Sequence, residues 1–111
     1  MKISILLPYK ENFTKNNAGA VSLFVNQTTK VSKYKNNITV FGNTLFEDFL
    51  DKSYKNINFD KKIFRSSSKM FVDNFLENED VLDSDIIEIH NRPNYIKSII
   101  KKYNNQIFLY F

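Results

Sequence analysis

The stretch from Asp85 to Tyr103, DIIEIHNRPNYIKSIIKKY, constrains the fold more than any other part of the chain. Ile86-Ile87-Glu88-Ile89 is a short apolar run rich in β-branched residues, which suits a buried strand. His90, Asn91 and Arg92 then break the run with polar side chains. Pro93 follows, and its fixed φ fits the first turn of a new helix. Beyond it Tyr95, Ile96, Ile99, Ile100 and Tyr103 recur at helical spacing, with Lys97, Ser98, Lys101 and Lys102 on the other face. Gln106 to Phe111 is apolar again and predicts a second strand. A right-handed crossover lays these two strands parallel, so His90-Asn91-Arg92 falls at the carboxyl edge of the sheet. Open α/β sheets take their ligands along that edge. The corner is therefore the best candidate for function.

The rest of the chain repeats the alternation. Lys2 to Leu7, ended by Pro8, reads as a central parallel strand. Tyr9 to Gly19, YKENFTKNNAG, is longer than the few residues that usually join a strand to its helix, and such excess is often functional. Gly19-Ala20 leads into a helix whose expected apolar face is Val21, Phe24, Val25, Thr28 and Val31. The small pair lets a ligand or another backbone approach the helix N-terminus, where free N–H groups suit a phosphate; a lone glycine serves equally as a cap or turn. Asn36-Asn37 signals a turn, and Ile38 to Phe41 a second strand closed by Gly42. Leu45, Phe46, Phe49 and Leu50 have the spacing of a helical turn, and a third strand is expected within Ile57 to Phe64. Ser66-Ser67-Ser68 is an N-cap cluster for an amphipathic helix through Met70, Phe71, Phe75 and Leu76 to about Glu79. The order β-α-β, a third strand, then α-β-α-β predicts an α/β domain with a parallel sheet of about five strands and helices on both faces.

The totals exclude several classes. At 111 residues the chain is one domain at most. It has no Cys and one His, so neither disulfides nor a thiolate or structural zinc site is expected, and no cofactor is predicted. No apolar run reaches the ~18 residues of a membrane span, and the N-terminus lacks a signal-peptide pattern, so a cytoplasmic protein is the default. The net charge of +4 invites a nucleic-acid reading. However, Lys outnumbers Arg 14 to 2, and Arg is the residue that direct base readout favours. The lysines fit AT-rich codon usage, and no nucleic-acid partner is predicted. Lys30, Lys33 and Lys35 crowd the end of the first helix, where they favour its dipole or offer a contact to anionic headgroups at the inner face of a membrane.

Taken together, the opening strand with ENF…NNAGAVSLFV, then EIHNRPNYIKSI, then a hydrophobic strand ending in LYF, resemble the N-terminal half of retaining glycosyltransferases of family four. These have the GT-B architecture. The likeness is to bacterial members with an AGA-type turn after the first strand and an HNRP corner after the fourth, and it runs over essentially the whole chain. It implies a Rossmann-like, acceptor-side domain over residues 1–111, a fragment cut after its fifth strand. The whole enzyme would transfer a sugar from a nucleotide-sugar donor to a saccharide or lipid-linked acceptor in surface-polysaccharide synthesis. By the same likeness Gly19, with Ala20, matches the turn beside the donor diphosphate, and His90, Asn91 and Arg92 match the corner facing the cleft. His90 would orient sugar or acceptor hydroxyls. A further family histidine would fall at or beyond Phe111, and the donor half lies outside the chain, so these residues alone are expected to be inactive.

Plainer readings stand beside these. A solitary His at a strand end is often structural, and Arg92 can pair with Glu88 or Asp85. Glu11, in the long first loop, is either an acceptor contact or a solvated charge. Asp83-Ser84-Asp85 precedes a strand and so reads as a turn at the wrong edge for a metal. The main alternative function is a stand-alone flavodoxin-like binding or signalling domain, although Leu7-Pro8-Tyr9 lacks the acidic pair of a receiver. A nucleotide-binding domain of another class would need G-x-G-x-x-G or a P-loop lysine, and neither is present.

Overall fold

A computed structural model describes residues 1–62, 64–103 and 107–111. It contains strands β1 (Ile3–Leu6), β2 (Ile38–Gly42), β3 (Tyr54–Asn56), β4 (Ile86–Ile89) and β5 (Ile107–Tyr110). Helices α1 (Ala20–Val31), α2 (Ser67–Glu77), α3 (Glu79–Leu82) and α4 (Asn94–Lys102) connect them, with a 3₁₀ turn over Lys35–Asn37. All strand pairs are parallel, and the sheet order is β3-β2-β1-β4-β5. This is the doubly wound Rossmann order, not the 2-1-3-4-5 order of flavodoxin-like domains. The chain reverses direction across the sheet between β1 and β4, and their carboxyl ends flank the switch point.

Alternation along the strands sends successive side chains to opposite faces. Leu6, Phe41, Ile87 and Ile89 pack with Phe71, Phe75, Leu76, Val81, Tyr95 and Ile99, so α2, α3 and α4 cover one face. Ile5, Leu7 and Val40 pack with Phe13, Val25 and Tyr54 on the α1 side. The result is three layers. Ser66 caps α2 by accepting the Lys69 N–H at 3.3 Å, as its place in the serine cluster predicts.

Three expectations need correction. Helix α1 buries Ser22, Val25, Asn26 and Thr29, while Phe24 and Val31 are 47% and 86% exposed. The inward face is thus rotated from the apolar one, and Phe24 packs instead on His90 and Phe111, just past the ends of β4 and β5. The third strand is Tyr54–Asn56, before the stretch in which it was expected, because pairing with Val40–Gly42 holds it there. Within Ile57 to Phe64, the described residues carry no strand, and Ile63 lies outside them. Leu45 to Leu50 is loop, with Leu45 and Phe46 exposed; Phe49 instead pairs with Thr14 in an antiparallel bridge. Gln106, placed in the last strand from its sequence, lies outside the described residues.

That bridge fastens the long first loop. Lys15 N–H donates to the Asp48 carbonyl, Leu50 N–H to the Phe13 carbonyl, and Phe13 N–H to Thr44 Oγ1. Phe13 is 1% exposed and stacks on Tyr54 with ring centroids 5.2 Å apart. A buried aromatic and three backbone anchors make this loop a built part of the carboxyl rim. Asp83-Ser84-Asp85 is a turn at the opposite edge, where Asp85 accepts the Lys2 N–H at 2.8 Å.

Candidate functional site

Two structures stand on the carboxyl rim: the entry to α1 and the corner after β4. Gly19 is the N-cap of α1, in extended conformation, and has no side chain to satisfy the orphan N–H groups of the first turn. Glu11 supplies what is missing. Its carboxylate reaches across the loop, and Oε2 accepts the Ser22 N–H at 3.2 Å. A Cβ on Gly19 would collide with that same carboxylate. The glycine therefore makes room for an internal anion at the positive end of the helix, where a carboxylate is favoured. Glu11 is half-buried, so it is neither a freely solvated loop charge nor an open contact, and Ala20 is the exposed first residue of the helix.

At the second structure, β4 ends and the chain turns sharply. Asn91 takes the left-handed conformation with φ 53°, which Asn tolerates better than most residues. Its N–H donates to the Phe111 carbonyl at 2.7 Å, tying the corner to the end of β5. Arg92 Nη1 donates to the Asn91 carbonyl at 2.7 Å. The alternative reading, in which Arg92 pairs with Glu88 or Asp85, is not met, since Glu88 bonds His90 and Asp85 faces the amino edge.

His90 is 3% exposed. Its ring stacks on Phe111, centroids 5.0 Å apart and planes 10° from parallel, while Phe24 of α1 meets it edge-on at 6.0 Å. Nε2 lies 2.6 Å from Glu88 Oε2. Glu88 went unnoticed as a functional candidate in the sequence, although a strand places residues two apart on the same face and so pairs it with His90. Phe24 and Phe111 gave no local signal, because their meeting depends on the sheet order.

The structure thus brings Gly19, Ala20 and Glu11 together, and joins α1 to the His90 corner through Phe24. Cavities of about 560 Å³, with Lys30, Lys35, Asp51 and Lys52, and about 460 Å³, with Arg65, Asp73 and Lys102, lie away from this rim. Smaller ones touch Asn94 and Tyr95 beside the corner, and Glu88. Among the described residues no cluster of three or more His, Asp or Glu is placed to hold a metal ion, and no helix is long and apolar enough to cross a membrane.

No family model, curated protein or solved structure matches the chain.

Proposed function

We propose that this chain is the acceptor-side, N-terminal domain of a retaining sugar-nucleotide glycosyltransferase of GT-B architecture. The observation that carries the reading is the shared rim: the Gly19-Ala20 helix entry and the His90-Asn91-Arg92 corner flank one topological switch point, with Phe24 linking them. Open α/β sheets bind ligands at such points. The residue likeness to family-four enzymes supplies the chemistry. In this reading the corner receives saccharide hydroxyls, and the helix entry approaches the donor diphosphate once a second domain closes over the rim. A diphosphate leaving group gains negative charge, which N–H groups at a helix start stabilise without a metal. Because Glu11 already occupies that start, the diphosphate role of Gly19 and Ala20 requires the carboxylate to move aside.

The test is titration of the ¹⁵N-labelled chain with a panel of glucose-, galactose- and N-acetylglucosamine-terminated oligosaccharides, followed by amide shifts. Shifts at residues 9–20 and 89–95, lost in His90→Ala without an equal loss of thermal stability, support the reading. Failure of every saccharide to perturb the rim overturns it. The 111 residues alone are expected to transfer no sugar. Transfer by this chain alone would refute the division of labour between two domains.

A further inference from the structure

We propose that Glu88 is a positioning residue that fixes His90 in one tautomer and leaves its Nδ1 as a hydrogen-bond acceptor on the rim. The reading of that acceptor as a receiver of saccharide hydroxyls rests on the proposed function. The tautomer itself does not.

The two side chains project from the same face of β4, and Glu88 sits in register between Ile5 of β1 and Leu109 of β5. Both are largely enclosed, with side chains 16% and 4% exposed. An ionised carboxylate can only accept hydrogen bonds. The ring nitrogen it meets at 2.6 Å must then carry the proton, so Nε2 is the N–H. A neutral imidazole has one such proton, which leaves the lone pair on Nδ1. Among the described residues the ring's one hydrogen bond is that of Nε2, and Nδ1 has no partner. Phe111 against one face and Phe24 at the edge resist a flip of the ring, which would put a carbon in place of each nitrogen and break the bond to Glu88.

This arrangement selects a ligand class. A fixed, uncharged acceptor in a buried ring accepts from an O–H or N–H and gives nothing to a phosphate or carboxylate oxygen. A hydroxyl-rich ligand is the natural partner, and Glu88 acts on it only through His90. Comparable carboxylate–histidine pairs orient the ring and choose its tautomer in metal sites and catalytic triads.

The experiment is a long-range ¹H–¹⁵N correlation on the full ¹⁵N-labelled chain, followed upward in pH until the ring signals stop changing. Wild type is expected to show a pyrrole-type Nε2 and a pyridine-type Nδ1. Glu88→Leu is expected to give mixed tautomers, and Glu88→Gln, which keeps a carbonyl acceptor, to restore the wild-type pattern. A protonated Nδ1 in wild type overturns the inference without any variant. So does an unchanged pattern in a folded Glu88→Leu chain. The saccharide panel then separates the two proposals. The expected tautomer with no rim shifts retains the role of Glu88 and rejects the transferase reading. Rim shifts with the wrong tautomer do the reverse. If both hold, Glu88→Leu should weaken saccharide binding about tenfold, and Glu88→Gln should bind close to wild type.

Discussion

Glu11 and Gly19 compete for one volume: the carboxylate that caps α1 fills the space a Gly19 side chain would need. This predicts coupling between the two positions. Glu11→Ala should cost about 1 kcal/mol, the usual worth of a helix cap. Gly19→Ala should cost a similar amount by pushing the carboxylate off the Ser22 N–H. In the Glu11→Ala background the same change should cost close to nothing, since the collision is gone and alanine lowers the entropy of the unfolded chain. Urea midpoints of the four chains measure this cycle. Simple additivity would show that Gly19 is not reserved for Glu11.

The left-handed turn at Asn91 makes a sharper, local prediction. Asn91→Gly should stay within about 0.5 kcal/mol of wild type, since glycine adopts φ 53° freely. Asn91→Val should lose about 1–2 kcal/mol, because a β-branched side chain is strained there. Equal stabilities by denaturant unfolding would mean that the corner relaxes out of that conformation.

How much of this was readable beforehand depends on how local each signal is. Ile86-Ile87-Glu88-Ile89 and Ile38 to Phe41 announce their strands through β-branched runs, and Ser66 announces α2 through a capping hydroxyl. Tyr54-Lys55-Asn56 has no such pattern, and only its ladder to Val40–Gly42 makes it a strand. In α1 the periodicity of Phe24 and Val31 misleads, because the sheet side takes Ser22, Asn26 and Thr29. The rim corner was legible as polar residues after a strand. Its inner construction was not: His90 lies under Phe111, and Glu88 and Phe24 reach it from directions the order of residues does not reveal.

Tyr54 should govern alkaline stability. Burial pushes its hydroxyl up to about 12. Tyr54 Oη donates within a cluster formed with Thr44 Oγ1 and Asn56 Oδ1. In the unfolded chain it titrates near the ordinary value of about 10. The folded pKa is the higher one, so its contribution is complete below pH ~10 and is lost as pH rises towards 12. Denaturant midpoints should therefore fall between pH ~10 and 12. Tyr54→Phe should start about 1–2 kcal/mol lower, from its lost hydrogen bonds, yet fall less steeply. A residual slope is expected from Tyr103, whose pKa burial also raises. Parallel curves for the two chains would remove Tyr54 from this role.

On the other side of the sheet, Phe75 is fully enclosed and meets Phe41 edge-on with centroids 5.4 Å apart. Phe75→Ala should cost about 3–5 kcal/mol, in the range for a buried aromatic. A loss under 1 kcal/mol in thermal or urea unfolding would show that α2 repacks to close the gap.

The polar inward face of α1 gives the two halves of the rim unequal permanence. Beside the buried Val25, Ser22, Asn26 and Thr29 thin the greasy contacts that would weld a helix to its sheet, and the hydroxyls of Ser22 and Thr29 have no protein partner among the described residues. Such a layer is expected to open by sub-global fluctuation. Amide hydrogen exchange should find the backbone of α1 released well before β1, β4 and α2. The helix carrying Gly19, and the Glu11 latch upon it, should then reorganise more readily than the corner after β4, whose backbone is tied to β1 through its strand and to the end of β5 through Asn91.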